Sequence, residues 1–246
     1  MTAGALRALH VPGTPLLLPN AWDAASAKLV EAAGFPVVAT SSGAVAESLG
    51  YADHEGAPAG EMFAAAARIA RAVEVPVTVD AEAGYGLPPA ELAARLRDAG
   101  VVGCNIEDTD HTSGGLVDPV RQAEKIRALR AADQDLVINA RIDVFLHAAD
   151  QHAVLKEGVR RAEAYLAAGA DCVYPILIRD SEVLAGFVDA VRPAAVNINY
   201  LPSGPDLESL AGTGVARISL GTGLWRITRS FVEKSLRRLA SGVAPY

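Results

Sequence analysis

The sequence is poor in the residues on which several common chemistries depend. Its two cysteines, Cys104 and Cys172, lie far apart with no CxxC, so neither a disulfide framework nor a zinc knuckle is supported. The four lysines, Lys28, Lys125, Lys156 and Lys234, all fall on predicted helices, which leaves no amine at a strand end for Schiff-base chemistry. There is no GxSxG elbow, no HxH pair and no GxGxxG after a strand, so a serine hydrolase, a histidine zinc site and a dinucleotide fold lose their signatures. No apolar run approaches the roughly 18 residues of a membrane span. Met1 to Pro15 carries one arginine and no apolar leader core, and a soluble cytoplasmic protein is expected. Basic residues are outnumbered, 22 against 29 acids for a net charge of −7, and form no stripe, so nucleic acid and anionic membrane are poor partners.

What is present is a compact-domain composition, 51% hydrophobic and 21% charged with a mean hydropathy of +0.23. Within it one phrase repeats: an Ala-rich helical stretch ends at glycine and an apolar, often β-branched run follows at once. The copies are Ala33-Gly34-Phe35 into PVVATSS, Ala99-Gly100-Val101 into VGCNIED, Ala168-Gly169-Ala170 into DCVYPIL, and Thr213-Gly214-Val215 into ARISLG. Glycine after a last helical turn is a left-handed cap, and a continuous apolar run reads as a strand buried on both faces. Filling the gaps predicts strands near 15–19, 36–41, 75–80, 101–107, 136–141, 171–176, 194–199 and 216–220. The helices between them fall near 22–33, 59–73, 88–98, 119–132, 151–168, 181–191, 206–212 and 224–240. Asn20 is read as the N-cap of the first, Pro88-Pro89 and Asp118-Pro119 open the third and fourth, and Asp180 or Ser181 precedes the sixth. Eight alternating units in one domain, 1–246, predict a (β/α)8 TIM barrel of the α/β class, with a doubly wound open sheet as runner-up.

A barrel keeps its chemistry at the C-terminal strand ends. There the sequence puts Thr40-Ser41-Ser42-Gly43, Asp80-Ala81-Glu82, Glu107-Asp108, Asn139 through Asp143, Asn197-Ile198-Asn199 and Ser219 through Gly223. If the third strand continues, Asp80 and Glu82 point to one side and Glu107 arrives from the next strand. Carboxylates so close repel one another unless a hard cation joins them, and oxygen ligands favour Mg2+, with Mn2+ possible. The plainer alternative is a structural network of Asp80 and Glu82 with Arg141. His54, His111 and His147 follow strands in loops; each is ordinarily a solvated residue, with an acid or base role open. Cys104 and Cys172 fall in mid-strand, as small buried hydrophobes. Gly221-Thr222-Gly223 reads equally as a phosphate cradle or as a plain turn.

The segments LPNAWDAASAKLVEAAGF, SSGAVAESLGYAD, VDAEAGYG, NIED, NARIDVFL and ARISLG occur in the order found in the isocitrate lyase and phosphoenolpyruvate mutase superfamily, which this chain resembles from about Leu16 to Gly221. The resemblance implies an (α/β)8 barrel with Mg2+ at its mouth, acting on a small 2-oxo acid or its enolate. It implies Asp80 as main metal ligand with Glu82, Glu107 and Asp53 around the ion, several through water. Ser42, Gly43 and Ala44 become a cradle for the substrate carboxylate, Arg141 its cationic partner, and Trp22 either a lid or core. Asn197 is a further substrate-binding candidate, and Arg141, Glu107 and His111 are the catalytic ones. It also implies an eighth helix exchanged between subunits, in a homodimer or homotetramer.

Two departures matter. Lyases of this superfamily carry Lys-Lys-Cys-Gly-His or Lys-Arg-Cys-Gly-His after the fourth strand, with the cysteine as catalytic acid, whereas here the region reads His111-Thr112-Ser113-Gly114-Gly115. The mutases and phosphonopyruvate hydrolases carry a lysine there, also missing. Glu82 stands where aspartate is usual. The expected activity is therefore a Mg2+-dependent C–C lyase acting next to the carbonyl of a small 2-oxo acid, or on a 2-hydroxy acid yielding one. A decarboxylase, P–C bond hydrolase or mutase, or a non-catalytic 2-oxo acid binding protein, is the alternative.

Overall fold

A computed structural model describes residues 2–245. The barrel strands are Leu16–Leu18 continued past Pro19 by Asn20–Ala21, then Val38–Thr40, Val77–Asp80, Gly103–Glu107, Val137–Ile142, Cys172–Pro175, Ala195–Asn199 and Arg217–Ser219. All neighbours pair in parallel, and the ends meet: Leu16 pairs with Arg217 of the last strand while Asn20 pairs with Ala39 of the second. Closure excludes the open doubly wound sheet and gives the (β/α)8 barrel.

The glycines of the repeated phrase, Gly34, Gly100, Gly169 and Gly214, all adopt positive φ between 75° and 105°, so each is the left-handed cap that turns helix into strand. Helix starts are held by aspartates: Asp118, Asp150, Asp180 and Asp206 each accept from backbone N–H groups of the first turn. Asn20 is not a cap. Asp23 caps the first barrel helix, Ala24–Ala32, through a capping box with Ser26. Asn20 instead staples the closing seam: its Nδ2 donates to Thr40 O (2.7 Å) and its Oδ1 accepts from Leu220 N (3.0 Å), joining three strands.

Three elements were not visible in the sequence. A short helix, Ala3–Ala8, seals the N-terminal end of the barrel, with Leu6 buried among Leu16, Leu18, Val37 and Val137. A second, Ser42–Leu49, grows directly out of the second strand. A two-stranded hairpin, Thr109–Asp110 with Gly115–Leu116, follows the fourth. The main apolar core lies between the strands and the helix ring, while the barrel's interior is polar in mid-layer, with Thr78, Asn105, Asn139, Asn197 and Arg217 all buried. Interior positions on alternate residues thus run from an apolar plug at the bottom, through an amide and guanidinium layer, to carboxylates at the top.

The final helix, Gly223–Ala240, buries none of its residues; Ile227, Phe231, Leu236 and Leu239 are all more than half exposed. Its N-terminal end rests on the barrel through Trp225, whose ring stacks at 5.0 Å on Trp22.

Candidate active site

The third strand stops at Asp80, so the side-by-side placement of Asp80 and Glu82 does not arise from strand alternation. Glu82 turns into the left-handed region (φ 49°), and its Oε1 accepts from Glu55 N (2.7 Å). Glu55 in turn accepts from Tyr85 N (2.5 Å) in the Gly84-Tyr85-Gly86 turn, knitting the second and third strand loops together. Asp80 is held by its neighbour: Oδ2 accepts from Ser42 Oγ (2.8 Å) and Ser42 N (3.3 Å), and its N–H donates to Thr40 Oγ1 (3.0 Å). Two oxygens are left over. Asp80 Oδ1 and Glu82 Oε2 are buried with no hydrogen-bond partner.

Glu107, buried at the end of the fourth strand, meets His111 Nε2 at 2.6 Å and pairs with Arg141 Nη1. Arg141 Nε and Nη2 donate to the two oxygens of Asp143 (2.6 and 2.8 Å), which also accepts from Thr109 Oγ1 (2.5 Å). Arg141 is therefore partnered by Glu107 and Asp143, not by Asp80 and Glu82, and the network of those two acids with Arg141 is not formed. Burial pushes the Glu82 carboxyl up to about 7 and raises that of Glu107, with the Asp80 charge adding to both. His111 is half-buried, not a solvated loop residue, and its hydrogen bond to Glu107 raises its pKa. Burial pushes the Cys104 and Cys172 thiols up to about 12, as inert hydrophobes.

Behind this cluster Asp108 is fully buried. It accepts from Asp143 N (2.8 Å), Arg161 Nη1 (2.8 Å) and Tyr165 OH (2.6 Å), so it positions the residue that positions Arg141. Asp108→Ala would remove the fully buried partner of Arg161 and Tyr165, leaving the guanidinium paired only with the partly exposed Glu157. Breaking a buried pair in this way costs about 3–5 kcal/mol, and the expected result is a clear drop in the urea midpoint with the slope unchanged.

At the mouth lies a cavity of about 600 Å3. Asp80, Ser42, Gly43, Asp53 and Arg141 all line it. Gly43 is needed there because a Cβ would come within 2.6 Å of the Asp53 carboxylate. Ala44 is buried within its helix. Asn197 lies one layer down, fully buried and accepting from Ser219 Oγ (3.1 Å), and the seventh-strand residue that reaches the cavity is Asn199, two positions on. Trp22 packs on Trp225 and is not among the lining residues. The Gly221-Thr222-Gly223 turn also lines the mouth, with Thr222 Oγ1 accepting from Arg226 (2.5 Å). Lys125, on its helix, reaches the loop after the third strand and donates to Ala83 O (3.0 Å), outside the residues that line the cavity. Sequence reasoning placed Asp143 at a strand end without giving it a role, though its i+2 spacing from Arg141 was a signal, and passed over Glu55, which nothing local marks.

Among the described residues, no three His, Cys, Asp or Glu side chains stand close enough to form a ready-made metal cluster. The donors here are carboxylate oxygens, the chemistry a hard, partly hydrated cation would take, and the two unpartnered buried oxygens are ones such an ion would satisfy.

The family model described as phosphoenolpyruvate phosphomutase matches residues 6–240. This chain belongs to that family, within the isocitrate lyase and phosphoenolpyruvate mutase superfamily. A solved structure described as a putative phosphonomutase from Burkholderia cenocepacia superposes with a TM-score of 0.92 at 38% identity, covering 96% of this chain and 99% of that one. An uncharacterised protein of Mycobacterium tuberculosis is 36% identical over 87% of this chain and 80% of its own. The 2-methylisocitrate lyase of Bacillus subtilis is 29% identical over 77% of this chain and 64% of its own. The relatives named here carry lyase and mutase names, and a further solved structure of similar fold, 25% identical with a TM-score of 0.86, is an oxaloacetate acetylhydrolase.

Proposed function

We propose that this enzyme is a Mg2+-dependent lyase that breaks a C–C bond next to the carbonyl of a small 2-oxo acid, or of a 2-hydroxy acid yielding one. The observation that carries this reading is the pair of buried, unpartnered carboxylate oxygens, Asp80 Oδ1 at the end of the third strand and Glu82 Oε2 in the loop after it, with Asp80 and Arg141 both lining the cavity at the barrel mouth. Asp80 would hold the ion directly, with Glu82, Glu107 and Asp53 around it through water. The bound ion would supply a fixed positive centre for negative charge developing on the substrate carbonyl oxygen.

The chain's own residues do the rest. Arg141, clamped by Asp143 and Glu107, keeps N–H groups free for a substrate carboxylate, and the clamp fixes the guanidinium plane before substrate arrives. Ser42 fixes the Asp80 carboxylate, and Gly43 lets the backbone come close to Asp53. His111 sits on the hairpin beside Glu107, within reach of a proton-transfer role. Mn2+ would serve in place of Mg2+. Calorimetry with oxalate, which mimics the pyruvate enolate, should show binding only when Mg2+ is present; metal-independent binding would remove the reading's basis.

The exposed apolar stripe of the final helix supports a homodimer or homotetramer, since a monomer would leave Ile227, Phe231, Leu236 and Leu239 in water. Light scattering at micromolar concentration is expected to give a dimer or tetramer mass; a monomer mass would refute it. A soluble, cytoplasmic location fits the family, and among the described residues no helix is long and apolar enough to cross a membrane.

A further inference from the structure

The cavity has two unlike sides. Asp53, Asp80, Ser42 and Arg141 occupy the side built by the second to fifth strands. The loops after the fifth to eighth strands present Leu146, Ile176, Leu177, Leu201 and Leu220; the polar groups among them, Asn199 and Thr222, have their side-chain oxygens taken up by Leu177 N and Arg226. On this second side the cation is Arg226, exposed at the rim and bound to Thr222. A second carboxylate reaching into that wall would lose its water without gaining a buried cationic partner, which is strongly unfavourable. The cavity of about 600 Å3 falls in the class of roughly 300–1,000 Å3 that takes ligands much larger than a three-carbon oxo acid.

Leu177 marks this wall as built. It is a branched, non-glycine residue at φ 59°, a conformation that disfavours such a side chain. It is held there from both sides: its N–H donates to Asn199 Oδ1 (2.9 Å) and its carbonyl accepts from Gln151 Nε2 (2.8 Å). Glycine or asparagine would adopt this backbone at less cost, yet the position carries an isobutyl group against the cavity.

We propose that the substrate's remaining chain is apolar: a 2-oxo acid, or a 2-hydroxy acid yielding one, that carries an alkyl or aryl group running from the reacting end towards Leu177, in place of the extra carboxylates of isocitrate or oxaloacetate. This rests on the site reading above and names its substrate class. The wall then acts in specificity: apolar groups gain by leaving water, and dicarboxylates are disfavoured by desolvation.

The test is calorimetry of the full-length protein with Mg2+ against pyruvate, 2-oxobutanoate, 2-oxohexanoate, phenylpyruvate, oxaloacetate and 2-oxoglutarate, with oxalate as reference. Each methylene that enters the wall should tighten binding about fourfold (about 0.8 kcal/mol), so the six-carbon acid should bind about 50-fold more tightly than pyruvate. The dicarboxylates should bind no more tightly than pyruvate. Leu177→Asn suits the left-handed backbone and removes the apolar group; it should keep the wild-type melting temperature and cut the chain-length advantage several-fold. If oxalate binds with Mg2+ but chain length brings no gain, or oxaloacetate binds tightest, or Leu177→Asn keeps the full advantage, the apolar-substrate inference is overturned while the metal and oxo acid reading stands. If neither oxalate nor any oxo acid binds with Mg2+, both fall.

Discussion

Asp80→Ala is expected to abolish turnover and Mg2+ affinity while leaving the barrel folded. The side chain ends a strand at the rim of the cavity, half-buried, and its hydrogen bonds to the described residues run only to Ser42. Its loss leaves two donors to be satisfied by water, a cost of about 1 kcal/mol. The functional loss is far larger. Lewis-acid stabilisation contributes several kcal/mol at the transition state, so removing the direct ligand should lower kcat/KM by about 10³ or more. Calorimetry with Mg2+ and circular dichroism on the same sample check both halves. Unchanged metal binding in the variant would sink the assignment of Asp80.

The barrel itself was legible because each signal was local and physically forced. A glycine at positive φ followed by a two-face-buried strand is one sentence of sequence, and four such glycines place half the joints. The strand ends then place Asp80, Glu107 and Arg141 without any further information. Features lost to sequence were short or non-local. Six residues, Ala3–Ala8, are too few to show a helical period, and Ser42–Leu49 carries a glycine and no side-chain cap at its start, so it reads as loop. Asn20 looked like a cap because it precedes a helix, but its partners are Thr40 and Leu220, the latter 200 residues away. Asn197 and Asn199 share a face by alternation, and only the depth of the barrel layer decides that Asn199 reaches the cavity. Arg141's true partners follow the same rule: Asp143 lies two residues on, whereas Asp80 and Glu82 merely had the right charge.

Isocitrate and methylisocitrate should be turned over negligibly, although oxalate, pyruvate and oxaloacetate are expected to retain measurable affinity in the presence of Mg2+ through Ser42 and Arg141. Cleavage in the lyase manner leaves a carbanion that a placed acid must protonate, and such help is typically worth about 10² to 10⁴ in rate. Lyases of the superfamily place a cysteine on the loop after the fourth strand. Here that loop is a tight hairpin whose turn is closed by Asp110, which accepts from Thr112 N (2.9 Å) and Ser113 Oγ (2.8 Å). Ser113 is thus committed to the turn and exposed, and Thr109 is committed to Asp143, while His111 points back to the site, against Glu107 and 5.5 Å from the His54 ring. Ser113→Ala should leave turnover of the true substrate nearly unchanged, and His111→Ala should lower kcat by about 10² or more. The measurement is release of glyoxylate or pyruvate from a panel of 2-hydroxy and 2-oxo acids, with both variants in parallel. Isocitrate turnover at a true lyase's rate would refute the argument from the missing cysteine, and a fully active His111→Ala variant would move the proton donor to another residue.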